Sequence, residues 1–180
     1  MVRTTGTYAY RQEDGWTSVT LPYAGDDLAM TFVVPDDGQL DGFDAALDAD
    51  LLREAITGGT PTAVQLTFPT IDLDQRSALG EALRTSGVTA PFTTDTDFEP
   101  MTTDEQAQPM HLADVLHQAT VTVDEHGTEA AAATAATFET VGGALTDTEI
   151  TVDRPYLFVI HDVATGTPLF IGRVTDPTRS

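Results

Sequence analysis

Few side chains in this sequence are equipped for catalysis. Cysteine is absent, which excludes a disulfide, a thiolate metal site and a cysteine nucleophile. Ser18, Ser77, Ser86 and Ser180 lie in no Gly-x-Ser-x-Gly setting, which argues against a serine hydrolase. Four histidines remain, at 111, 117, 126 and 161. His111, Asp114 and His117 invite a metal reading by their spacing, but the segment reads as a strand. On a strand, positions 111 and 114 face opposite ways, so a shared ion is not expected. His126 and His161 read as surface or loop residues rather than catalytic bases. Asp95, Asp97 and Glu99 lack both the spacing and the glycine of a calcium loop and read as a solvated acidic stretch. The expectation is therefore a protein that is not an enzyme and holds no cofactor and no metal.

The composition narrows the partners. Against 29 Asp and Glu stand 8 basic residues, all Arg, for a net charge of −21 and a pI of about 4.1. Nucleic acid and anionic membranes would repel such a surface, so neither is an expected partner. Crowded carboxylates on a Lys-free chain also fit a salt-adapted organism, since electrolyte screens their mutual repulsion to within about 3 Å at 1 M. The 41% hydrophobic content of the 180 residues is enough for one mid-sized domain. No apolar run is long enough to span a membrane, and the first residues lack the apolar stretch of a signal peptide.

The elements follow from periodicity. Thr7–Gln12, Trp16–Tyr23 and Leu28–Pro35 read as a three-stranded meander, with turns at Asp14-Gly15 and Gly25-Asp26. Helical spacing of Phe43, Leu47, Leu51 and Leu52 predicts one helix over Phe43–Ile56, stopped by Gly58-Gly59. Ala63–Leu73 returns to period two. Gln75–Thr85 reads as a second helix and Thr93–Pro109 as a polar loop. His111–Val123 reads as a long strand, and Thr148–Val152, Tyr156–His161 and Leu169–Val174 as the closing strands. The Ala-rich run between Gly127 and Thr140 has strong helix propensity but no apolar stripe with which to dock. The fold class expected is α+β, rich in strands, with an exposed Ala-rich segment.

That segment and its flanks also carry a family resemblance. Val-Asp-Glu-His-Gly-Thr-Glu-Ala-Ala-Ala-Ala-Thr, at 123–134, resembles the hinge of the reactive-centre loop in serpins. Leu112–Ala119 resembles the strand that leads into that loop. Arg154–Ile160, Thr165–Val174 and Asp176-Pro177 resemble the family's C-terminal signature, and Leu21-Pro22-Tyr23 with Gly25–Leu28 fits upstream. The resemblance runs from about Thr4 to Pro177 in the family's order. It covers only the C-terminal half of the serpin fold, so residues 1–180 read as that half, with the reactive-centre loop at about 125–150.

The resemblance implies inhibition of a serine protease by a suicide-substrate mechanism. The protease attacks the loop, forms an acyl-enzyme, and is trapped when the cut loop enters the central sheet as a new strand. A strand that slides into a sheet needs small side chains at alternate positions. Thr128, Ala130, Ala132, Thr134 and Ala136 form such a set, Glu129 falls on the opposite one, and Gly127 supplies backbone freedom at the pivot. Glu125, Ala131 and Ala133 complete the hinge. His117 matches a serpin histidine beneath the point where the sheet opens, with a structural hydrogen-bonding role. Family spacing counted from Glu125 places the reactive bond between Val141 and Gly142, with Thr140, Ala144 and Leu145 as alternatives. Val141 would suit elastase-like or subtilisin-like proteases, and Leu145 chymotrypsin-like ones. The implied partners are that protease and the missing N-terminal half. Without that half, the insertion slot lacks one edge and the chain is expected to behave as a substrate. The alternatives are a non-inhibitory carrier or chaperone of the same fold, or an inactive fragment.

Overall fold

A computed structural model describes residues 1–94, 98, 101, 110–124, 127–128 and 148–178. The meander forms as expected: β1 (Val2–Glu13), β2 (Trp16–Pro22) and β3 (Leu28–Pro35) pair antiparallel in succession. Its turns need left-handed backbone, with φ of 92° at Gly15 and 96° at Gly25. Glycine adopts these without a Cβ clash, and Asp26, at φ 58°, is one of the few residue types that tolerates the same region.

The single helix expected over Phe43–Ile56 is instead two, α1 (Leu40–Ala46) and α2 (Ala49–Thr57). Leu47 is extended, and Asp48 restarts the helix as its N-cap. The Asp48 carboxylate accepts from the backbone N–H groups of Asp50 and Leu51 at 3.0 and 2.9 Å. These satisfy donors that a helix start leaves orphaned.

β4 (Thr60–Phe68) follows, and after Pro69-Thr70 comes β5 (Ile71–Ala78). Gln75–Ala78 is therefore strand, not helix, and α3 spans only Gly80–Thr85. Tertiary bonds set that boundary: Leu79 N–H donates to the Val115 carbonyl and Gly80 N–H to Asp114 Oδ1, both at 2.8 Å. The same bonds correct the long strand read over His111–Val123. Residues 111–115 are irregular, with Leu112 N–H donating to the Pro91 carbonyl, and β6 begins only at Leu116 and runs to Asp124.

The remaining strands are β7 (Gly127–Thr128), β8 (Thr148–Thr151), β9 (Tyr156–Asp162) and β10 (Pro168–Val174). They complete a seven-stranded sheet, ordered β10-β9-β3-β2-β1-β4-β8, and a three-stranded one, ordered β5-β6-β7. In the larger sheet β8 runs parallel to β4, while the other pairs are antiparallel. Two compact units result, residues 1–72 with 122–180, and residues 73–121.

The core of the first unit is aromatic on both faces of its sheet. On one, Trp16, Val33 and Leu157 pack with Phe43 and Ala55 of the helices, and Trp16 meets Phe43 edge-on at 6.0 Å. On the other, Phe32 contacts Phe68 at 5.0 Å and Tyr156 at 5.6 Å. Each such side chain contributes about 1.5–3 kcal/mol by burial. β9, buried from Tyr156 to His161, accordingly reads as an unbroken apolar run up to its last buried residue. Arg11 ties β1 to α2: its guanidinium donates to the Gly58 carbonyl, pairs with Glu13 and Glu54, and lies over the Trp16 ring.

In the second unit, Arg84 of α3 stacks over Phe92 at 4.1 Å. Among the described residues, no helix is long and apolar enough to cross a membrane.

Candidate functional site: the hinge after β6

β6 delivers the chain to the Ala-rich segment. Val121 and Val123 are buried, while Thr120 and Asp124 are exposed, so the odd positions near the end of the strand face the interior. Gln118, exposed on the same strand, donates from Nε2 to Asp74 Oδ1 of β5 at 2.8 Å. His117 is exposed on β6.

Beyond Asp124 the chain reverses. Gly127 stands opposite Asp124 and Thr128 opposite Val123 in an antiparallel pairing. β7 therefore lies on the edge of β6 that β5 does not occupy. The remaining hinge residues expected from sequence, Glu125, Glu129, Ala130, Ala131, Ala132, Ala133 and Thr134, lie outside the described residues. So do the reactive-bond candidates Thr140, Val141, Gly142, Ala144 and Leu145, together with His126, Asp95, Asp97 and Glu99.

The far end of the segment is anchored at β8. Residues 148–151 pair with Val64–Thr67, and Val152 N–H donates to the Thr67 carbonyl at 2.8 Å. Glu149 accepts from Gln65 Nε2 at 2.8 Å and lies 3.7 Å from Arg3, an exposed contact that contributes little. Residues 127–128 thus belong to the three-stranded sheet and residues 148–151 to the seven-stranded one.

Other residues weighed from sequence take structural posts. Asp114 Oδ1 accepts from Gly80 N–H and from Val115 N–H, which commits it to the start of α3. Trp16 packs in the core. His161 corrects its reading as a surface or loop residue: it is 3% exposed on β9, because Ala29 of β3 and Pro168 of β10 flank it as strand partners. Its place at the end of the apolar run from Tyr156 was the signal in the sequence. Gly172, within the C-terminal signature, faces Phe158 across the β9–β10 pair, where a Cβ would lie 2.2 Å from two ring carbons. Close approach, not backbone freedom, is why glycine stands there.

The chain belongs to the serpin (serine protease inhibitor) family, whose model matches residues 1–177. Members of that family are generally inhibitors of proteases rather than catalysts, and some are non-inhibitory. Rat alpha-1-antiproteinase is 34% identical over 159 residues, 88% of this chain and 37% of that protein. A serpin-like protein of Thermococcus kodakarensis is 30% identical over 180 residues, 98% of this chain and 41% of that protein. Among solved structures, the thermophilic serpin tengpin in its native state superposes with a TM-score of 0.81 at 23% identity, over 97% of this chain and 45% of that one. Thyroxine-binding globulin in complex with thyroxine superposes at 0.77 and 24% identity, with the same coverage. The fold is thus α+β and of serpin type, and the chain spans about two-fifths of the curated relatives it matches.

Proposed function

We propose that the chain is the C-terminal half of a serpin that inhibits a serine protease as a suicide substrate, with residues 125–150 as the reactive-centre loop. In this reading the protein is not an enzyme. The protease serine attacks the Val141 carbonyl, the Val141–Gly142 bond breaks, and the Gly142 amine leaves with a proton from the protease. Thr140, Ala144 and Leu145 remain alternative positions for the cut. An elastase-like or subtilisin-like protease fits Val141.

The observation that carries the reading is the antiparallel start of β7 on the free edge of β6. Continuing its register sets Ala130 opposite Val121, Ala132 opposite Ala119 and Thr134 opposite His117. The positions that share parity with Val121 and Val123, both buried, are thus all small. A charge there would be buried without a partner, at a cost of several kcal/mol, whereas Glu129 falls on the other parity. His117 would then lie beside the inserting strand, where its hydrogen-bonding role applies.

Insertion needs a strand on the loop's other side as well, which belongs to the missing N-terminal half. The 180-residue chain alone is therefore expected to be cut without trapping the protease. The test is digestion by pancreatic elastase followed by mass spectrometry. A peptide beginning at Gly142 supports the assigned bond, and one beginning at Val141, Leu145 or Thr146 moves it within the loop. Cleavage that spares the segment from 125 to 150 would overturn the reading.

A further inference from the structure

Among the described residues, His161 is a buried ionisable group wired to a buried hydroxyl and, through it, to a half-buried one. His161 Nε2 lies 3.0 Å from Thr31 Oγ1, and Thr31 Oγ1 lies 2.7 Å from Thr20 Oγ1. His161 is 3% exposed and Thr31 is fully buried. Thr20 pairs with Thr31 across β2 and β3, and His161 pairs with Ala29 across β3 and β9, two residues along, so the three side chains share one face of the sheet. The other ring nitrogen, Nδ1, lies 3.4 Å from the Asp162 carbonyl, too long for a strong bond.

We propose that this His161–Thr31–Thr20 chain is an acid-sensitive latch that holds β9 on β3 while the imidazole is neutral and loosens when it takes a second proton. Neutral His161 accepts at Nε2 from the Thr31 hydroxyl, which in turn accepts from Thr20. Imidazolium has donors on both nitrogens. Its Nε2–H must then donate to Thr31, whose own proton turns to Thr20, reversing the chain. Among the described residues no buried anion compensates the new charge. Ala29, Thr31 and Pro168 beside it, and Thr20 beyond, are not ionisable. Asp50, Arg53 and Glu54 of α2 are exposed. Asp162, next in sequence, attracts the imidazolium, yet its carboxylate accepts from the Thr165 N–H and hydroxyl.

Burial lowers the proton affinity of His161, and the carbonyl and charge of Asp162 only partly oppose this. The sign follows from linkage. The unfolded chain binds the proton more tightly than the folded one, so the latch contributes fully above the ordinary value of about 6.5 and is lost as pH falls through it. At its limit, the unfolding constant rises by the ratio of the two acid constants.

The test is a pH series from 8 to 5 on the whole chain in constant high salt. It combines NMR titration of the His161 ring with urea unfolding of the wild type and of His161→Gln, whose Oε1 keeps an acceptor toward the Thr31 hydroxyl but does not titrate. The His161 ring is expected to titrate below the ordinary value of about 6.5, and the wild type to lose stability in acid relative to His161→Gln. A His161 titration at or above the ordinary value would overturn the proposal, as would parallel pH profiles for the two proteins. If His161→Gln does not fold, the wild-type titration alone decides.

Discussion

Replacing Gly172 with alanine tests the packing of the C-terminal signature with one methyl group. The new Cβ would lie 2.2 Å from Cε1 and Cζ of Phe158 and 3.0 Å from Cδ1, where carbon contacts settle at about 3.5–4.0 Å. Phe158 is 2% exposed on a strand buried on both faces, so the ring must move by more than 1 Å into occupied space or β10 must lift. Gly172 does not have a positive φ, so the backbone itself tolerates alanine. At a site with room, Gly→Ala would stabilise by about 0.4–1 kcal/mol through the unfolded chain. Overpacking costs about 1–3 kcal/mol and reverses that sign. With a urea dependence of about 2 kcal/mol per M, the unfolding midpoint should drop by roughly 0.5–1 M. Combining Gly172→Ala with Phe158→Leu should restore part of the loss, because the two changes share one contact. A midpoint equal to or above wild type for Gly172→Ala would refute the packing described here.

Three further outcomes follow from other sites. Asp48→Ala removes the N-cap of α2 and should cost about 1 kcal/mol by urea unfolding, whereas Asp48→Asn should cost much less; equal losses would count against capping. Tyr156→Phe deletes a buried hydroxyl that has no partner among the described residues, so it should be neutral or stabilising, and a loss above about 1 kcal/mol would reveal a bond to that hydroxyl. Raising salt from 0.1 to 2 M should raise the unfolding midpoint of a chain with net charge −21, and a fall would contradict the repulsion assigned to its carboxylates.

The sequence made the meander legible because its alternation and its Gly-containing turns agree. It misled where tertiary bonds overrule spacing. Leu79 and Leu83 stand four apart, yet the bonds from Leu79 and Gly80 to Val115 and Asp114 begin α3 late and leave Gln75–Ala78 in a strand. Those four residues lack apolar alternation, so periodicity offered no strand signal. Asp48 caps α2, but the apolar pattern across it is continuous, which hides the break between α1 and α2. The proposed hinge rests on a different pattern: a run of small residues with no apolar stripe is poor material for a packed helix and good material for an inserted strand. His161 closes the strand expected over Tyr156–His161, but a polar residue at a strand end is ordinarily exposed, and its type outweighed its place in the apolar run.

The central proposal is protease trapping. The most direct measurement is a denaturing gel of the chain with pancreatic elastase in high salt, with and without an N-terminal serpin half, beside Ala132→Glu. An adduct that survives SDS only when the half is present, and that disappears in Ala132→Glu while cleavage continues, is the expected result. Clean cleavage with no adduct in every lane would contradict trapping and leave a serpin-shaped substrate.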